Sequence, residues 1–198
     1  MHLKYRKVID MTEFLAILLS LDGNILLWIQ EHLRSELFTP LWTFITTSGN
    51  AGLIWIALTC FLLAFKKTRR VGAMCAVSLV LSLLFTNLLV KPLVARTRPY
   101  ELIQGLVLLI EKPHDFSFPS GHSSAAFAAA WVMFRNLPKK IGIPAVIYAS
   151  LMAFSRLYFA VHYPTDVLAG VIFGILYAQA AMWLMERFRP GSSVVEKY

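Results

Sequence analysis

The sequence predicts an all-α, polytopic membrane helix bundle with five to six transmembrane helices, and three observations carry that prediction. Of the 198 residues, 58% are hydrophobic and only 15% are charged, whereas a soluble domain carries about 25% charged residues. The apolar excess is gathered into long runs. No Asp, Glu, Lys, Arg or His occurs from Leu37 to Phe65, from Val71 to Val90, or from Val167 to Met185. Each run has the roughly 20 residues needed to cross about 30 Å of hydrocarbon. Finally, much of the basic charge behind the formal net charge of +8 lies between or just after the runs. It stands at Lys66-Lys67-Thr68-Arg69-Arg70, at Lys139-Lys140, and at Arg187 and Arg189. This is loop charge of the positive-inside kind, and no soluble basic domain is left to hold a nucleic acid.

The chain reads as a single membrane domain over residues 1–198. Residues 1–36 form an N-terminal interfacial or spanning helix, 37–189 the core and 190–198 a tail. The first seven residues are basic, but no small-residue cleavage pattern follows the apolar stretch, so a signal peptide is not expected. Phe14 to Leu21 is apolar, and Asp22-Gly23-Asn24 is expected to break the run before Ile25-Leu26-Leu27-Trp28-Ile29. Glu31, His32, Arg34 and Glu36 then alternate with Leu33 and Leu37. The pattern predicts an interfacial amphipathic helix, with a sixth crossing as the alternative. Spanning helices are predicted at about 41–65, 70–91, 121–136, 141–159 and 165–186. Cys60 and Cys75 fall inside apolar runs and read as small buried residues rather than a disulfide or metal site.

With five crossings, the basic loops at 66–70, 135–140 and 186–189 fall on one side, which the charge rule makes cytoplasmic. Lys91 to His122 and Arg156 to Asp166 fall on the other, external side. The polar residues that interrupt helix ends are concentrated there, and such interruptions are expensive in a membrane. Lys91 and Arg98 are seven residues apart, two turns of one helix face if the helix continues. They read either as a snorkelling basic helix end or as a cationic fork for a phosphoryl group. Pro119-Ser120-Gly121-His122 opens an apolar helix. Gly121 lets backbone approach a ligand, and the helix dipole favours an anion. In Ser155-Arg156 through His162-Tyr163-Pro164-Thr165-Asp166, Pro164 suits a first helical turn and His162 stands four residues before a carboxylate. His114 and Asp115 read as solvated loop residues and His32 as an interfacial one. Leu102 to Ile110 reads as a loop helix resting on the bilayer, or alternatively as a wall for a lipid chain.

Together these clusters suit phosphoryl transfer. Cations surround the equatorial oxygens, an imidazole can attack phosphorus, a carboxylate fixes its tautomer, and a second histidine supplies a proton. Lys91, Arg98 and Arg156 can supply the charge that a metal otherwise brings. The three segments resemble the signature of the type-2 phosphatidic acid phosphatase superfamily. That signature is Lys, six residues, Arg-Pro; Pro-Ser-Gly-His; and Ser-Arg, five residues, His, three residues, Asp. The resemblance covers roughly residues 40–186, and every signature position matches in order and spacing.

The resemblance implies His162 as the nucleophile, Asp166 orienting it, and His122 as proton donor to the leaving group. Lys91, Arg98 and Arg156 would hold the phosphoryl oxygens, helped by Ser120 and the backbone at Gly121. No metal and no other cofactor is implied. The expected partners are a lipid phosphate substrate and the bilayer, with no nucleic acid and no obligate protein partner. The site would face outward from a bacterial plasma membrane. Undecaprenyl diphosphate, phosphatidylglycerol phosphate and phosphatidate all fit the motifs, which touch only the phosphoryl group. Three other readings stand beside a lipid phosphatase. They are a lipid phosphotransferase using the same phosphohistidine, a non-catalytic lipid-binding or transport protein, and a vanadate-dependent haloperoxidase. The apolar runs argue against the last.

Overall fold

The structure, a computed structural model, describes residues 2–188. Among the described residues all regular structure is helical and no strand occurs. In chain order the helices are α1 (His2–His32), α2 (Thr39–Ser48), α3 (Leu53–Ala64), α4 (Arg69–Leu81), α5 (Lys91–Val94), α6 (Pro99–Leu102), α7 (Gly121–Asn136), α8 (Lys139–Tyr158) and α9 (Pro164–Arg187). By length and composition, Arg69–Leu102, Lys139–Tyr158 and Pro164–Arg187 can each cross a membrane. Taken together as one bent span, α2 and α3 add a fourth, with a bend of 52°. Helices occupy all five segments predicted to span, but the first, about 41–65, is broken between Ser48 and Leu53 into α2 and α3 instead of running as one helix. However, α7 has 16 residues, about 24 Å of helix, which is short of a full crossing.

What α7 lacks in length it makes up in burial. Ala126, Ala128, Ala129, Ala130 and Val132 are completely enclosed, and α4, α8 and α9 pack around the helix. Small side chains make this close packing feasible. A Cβ at Gly170 would lie 2.6 Å from the Ser120 carbonyl oxygen, and one at Gly174 would lie 2.5 Å from that of Ser124. Two glycines four apart thus let α9 lie directly on the α7 backbone. The opposite side of α9 exposes Leu168, Ile172, Leu176 and Trp183. A helix that buries glycine and alanine while exposing leucine and tryptophan is oriented for lipid rather than water.

Two local departures from regular helix help to shape the site. Ala51 and Gly52 both have positive φ, at 50° and 73°, and this left-handed pair turns the chain between α2 and α3. After α4 the chain widens into a π-helical stretch, Ser82–Val90, a distortion often found beside functional sites. On its buried side, the Ser82 and Thr86 hydroxyls lie 2.7 and 2.9 Å from the Ser124 hydroxyl on α7. Lys91 follows directly.

The N-terminal segment departs from expectation. Asp22-Gly23-Asn24 does not break the run, and α1 continues through it as a single 31-residue helix. The reason is tertiary: the Asp22 carboxylate does not compete for its own backbone but reaches Arg96 and Thr165. Nor does a helix form over Leu102 to Ile110. The chain leaves α6 through a turn at Gly105 (φ 80°), with Leu106 buried against Leu26, Ala160 and Tyr163.

Candidate active site

The site lies at the end of the bundle where α7 and α9 begin and α8 ends. Lys91, Arg98, Gly121, His122, Arg156 and His162 all line one cavity of about 580 Å³ there. Lys91 opens α5 just after the π-helical stretch and is 5% exposed. The helix does not continue to Arg98 as the seven-residue spacing would allow. Ala95 turns left-handed (φ 48°), and Arg98 stands in extended backbone ahead of α6. The two cations are joined instead by Asp115, whose carboxylate bonds the Lys91 ammonium and lies 2.5 Å from Arg98 Nη2. Arg98 also donates from Nε to the Asp115 carbonyl at 2.9 Å and from Nη1 to that of Val161.

Asp115 is therefore more than a solvated loop residue. Its side chain is half exposed, yet it bridges two of the three cations expected to grip a phosphoryl group. Partial burial by itself would push this carboxyl up. The charges and hydrogen bonds of Lys91 and Arg98 outweigh that and hold it down at about 2.

Arg156, on the last turn of α8, is 4% exposed and donates from Nη1 to the Thr46 hydroxyl on α2. Its Nε has no hydrogen-bond partner among the described residues, so a guanidinium donor is left for a bound anion. His122, on the first turn of α7, has Nε2 3.1 Å from Asn50 Oδ1, at the bend between α2 and α3. Ser120 takes a different place from the one expected. Its hydroxyl caps α7, 3.4 Å from the Ser123 N–H and 2.9 Å from the Ser123 hydroxyl, and is fully buried. At Gly121 a Cβ would meet the movable Asn87 amide, with Oδ1 at 2.6 Å, so Asn87 would have to give way to a larger residue there.

His162 lies in the short connection between α8 and α9, almost wholly enclosed. Burial first, then the charges of Arg98, Arg156 and Lys91, hold its imidazole well below the usual histidine value, with Asp115 opposing them. The ring is thus kept neutral, the form in which one nitrogen can act as a nucleophile. Pro164 begins α9, and Asp166 on its first turn accepts a hydrogen bond from the Tyr163 N–H at 3.0 Å. The gap from His162 Nδ1 to Asp166 Oδ2 is 3.7 Å, and Nδ1 has no hydrogen-bond partner among the described residues. Asp166 is instead occupied by the Ser117 hydroxyl and by Arg96 Nη1, each at 2.5 Å.

Sequence reasoning thus placed six residues on one cavity wall, with Asp166 behind His162. It missed Asp115, Thr46 and Asn50 around them, and Arg96, Ser117 and Asp22 behind Asp166. No spacing rule could pair Asp22 with Arg96 or Thr46 with Arg156, because each pair is joined only by tertiary packing. Among the described residues, no group of three His, Cys, Asp or Glu is placed to hold a metal ion.

A second, largely apolar cavity of about 650 Å³ adjoins it between α3 and α4. Lys91, Asp115, Gly121 and His122 border both. Charged groups therefore stand at the mouth of a hydrocarbon-lined groove.

Known proteins resemble this chain over much of its length. The chain is 36% identical over 121 residues to an undecaprenyl-diphosphatase of Sulfolobus acidocaldarius, covering 61% of this chain but only 58% of that one. It is 31% identical over 162 residues to the undecaprenyl-diphosphatase BcrC of Bacillus subtilis, covering 79% and 80% of the two chains. The fold superposes with a TM-score of 0.71 on the crystal structure of a PAP2-type phosphatidylglycerolphosphate phosphatase from Bacillus subtilis. That match has 26% identity and covers 92% of this chain and 98% of the other. A family model described as the PAP2 superfamily matches residues 71–190, from the start of α4 past the end of α9. With the motif residues gathered on one cavity and more than half of its length matched, the chain belongs to the PAP2 superfamily.

Proposed function

We propose that the protein is an integral membrane phosphatase that removes a phosphate from a lipid phosphate or diphosphate through a phosphohistidine on His162. The observation that carries this reading is the junction of the two cavities. Three cations and two histidines surround one end, and the apolar groove that adjoins it has room for a lipid chain beside α3 and α4. The names of the relatives support the same reaction class. Three arrangements are part of the reading. The active face is external, the protein sits in a plasma membrane of the bacterial kind, and five or six segments cross, α7 included.

The proposed chemistry uses these groups as follows. Lys91, Arg98 and Arg156 take the equatorial phosphoryl oxygens, displacing Asp115 from the first two, and the free Nε of Arg156 completes its grip. The Gly121 backbone closes against the anion at the start of α7, and Ser120 holds that helix start rigid. Neutral His162 attacks phosphorus in line, the bond to the leaving oxygen breaks, and His122 gives that oxygen a proton. Water, losing its proton to His122, then attacks the phosphohistidine. The P–N bond breaks and inorganic phosphate departs. Asp166 stabilises the positive imidazole that forms, closing its 3.7 Å separation to a hydrogen bond of about 3 Å.

Within this class an isoprenoid diphosphate is the favoured substrate, because the adjoining cavity is largely apolar and two relatives are named undecaprenyl-diphosphatases. The test is phosphate release by the purified protein in detergent, with undecaprenyl diphosphate, phosphatidylglycerol phosphate and phosphatidate compared side by side. Release fastest on the diphosphate and lost in His162→Ala supports the reading. Release that survives His162→Ala contradicts it, and a higher rate on a two-chain phosphatidyl substrate overturns the substrate choice.

A further inference from the structure

We infer that Arg96, clamped between Asp22 of α1 and Asp166 of α9, is a positioning residue for the His162–Asp166 pair, so that the N-terminal helix takes part in the active site. This inference rests on the phosphohistidine reading above.

Arg96 lines neither of the two cavities. Its guanidinium nevertheless spans the back of the site. Nη1 donates to Asp166 Oδ1 at 2.5 Å and to the Thr165 hydroxyl at 2.8 Å. Nη2 donates to Asp22 Oδ2 at 2.9 Å, and the planar group stacks 3.8 Å above the Tyr163 ring centre. Its own carbonyl accepts the Ser117 N–H at 2.8 Å, and the Ser117 hydroxyl bonds the other Asp166 oxygen. Arg96 thus fixes Oδ1 directly and Oδ2 through Ser117.

Asp22 completes the clamp. It is 2% exposed and accepts the Thr165 N–H at 3.0 Å and the Thr165 hydroxyl at 2.5 Å. Two buried carboxylates therefore share one guanidinium, an arrangement that leaves each strongly dependent on it. The negative charge that Asp166 can offer His162 depends on how much of Arg96 is neutralised by Asp22. The other charged or titratable groups lining the cavity with His162 are Lys91, Arg98, Glu111, Lys112, His114, Asp115, His122 and Arg156, none of which either variant alters.

Opposite consequences follow for the two ends of the clamp. Arg96→Gln removes a positive charge and frees Asp166 to stabilise a protonated His162, so the acidic limb of kcat/KM moves to higher pH. Asp22→Asn leaves Arg96 uncompensated, so that limb moves to lower pH. Each displacement is expected to be about half a unit or more, and the double variant returns toward the wild-type limb. A purely structural clamp would lower activity across the whole range without opposed shifts.

The experiment is the pH profile of phosphate release by the full-length protein in detergent, for wild type, both single variants and the double variant. Opposed shifts support the inference. Coincident limbs, or shifts of both variants in one direction, overturn it while leaving the His162-dependent activity of the wild type intact. If Arg96→Gln does not fold, Asp22→Asn decides alone: a limb moved to lower pH supports the clamp, and an unmoved limb overturns it. Failure of the underlying reading is separate, because His162→Ala would then keep its activity.

Discussion

Asp115→Asn is predicted to tighten the binding of phosphate and vanadate. In the structure the Asp115 carboxylate holds Lys91 and Arg98 together, the position proposed for the phosphoryl oxygens. An entering anion must therefore displace it. The carboxyl is held at about 2 against an ordinary 3.8, which corresponds to roughly 2.4 kcal/mol at 1.36 kcal/mol per unit. Because the side chain is half exposed, solvent screening reduces this to on the order of 1 kcal/mol. An inhibition constant about five times lower is the result. The sign with pH is also fixed. The folded-state value is depressed, so the pairing is present above the ordinary carboxylate range and is lost as pH falls through about 2. The difference between wild type and variant should stay constant between about pH 5 and pH 8. The assay is competitive inhibition of lipid phosphate hydrolysis by vanadate and by inorganic phosphate. Weaker inhibition of Asp115→Asn would refute the reasoning, since it would mean that Asp115 organises the cations for the anion instead of occupying their place.

Arg156→Lys should lower kcat/KM by about ten- to a hundredfold, because a point charge cannot bond Thr46 and keep a second planar donor for the anion; steady-state kinetics with the preferred lipid reads this directly. Gly174→Leu should cost about 3 kcal/mol of stability or more, since a Cβ there already meets the Ser124 carbonyl oxygen at 2.5 Å and the Phe127 Cβ at 2.9 Å. An unchanged thermal midpoint in detergent would show that α9 does not lie on α7 as described. His162, held well below its usual value, should put the acidic limb of kcat/KM below about pH 6.5. The same depression makes the unfolded state bind more protons, so stability falls as pH drops below that value; denaturant titrations at pH 5 and pH 7 compare the two.

Much of this architecture was legible because membrane helices and fixed-spacing motifs are local properties. Uncharged runs located α3, α4 and α9, and Pro119-Ser120-Gly121-His122 marked the start of α7. Other features depended on contacts that sequence spacing cannot express. Asp22-Gly23-Asn24 reads as a breaker by local chemistry, yet the helix continues because Arg96 and Thr165 draw the carboxylate away from its own backbone. Asp115 looks like loop charge until the turn at Ala95 brings Arg98 and Lys91 to it. Ser120 was expected at the phosphate, but the hydroxyl is committed to Ser123 inside the cap. Asn50 and Thr46 gave no signal because a threonine and an asparagine in an apolar stretch are compatible with ordinary helix packing. Only the bend at Ala51 and Gly52 puts Asn50 against His122.

The central claim, that His162 carries the phosphoryl group, is tested most directly by rapid quenching of the purified protein with a radiolabelled lipid diphosphate. The account predicts a protein-bound phosphate that is stable in base, labile in acid and located on His162. It should form and decay fast enough to account for turnover and be absent from His162→Ala. Turnover with no labelled protein at any quench time, or a label that persists in His162→Ala, would contradict it.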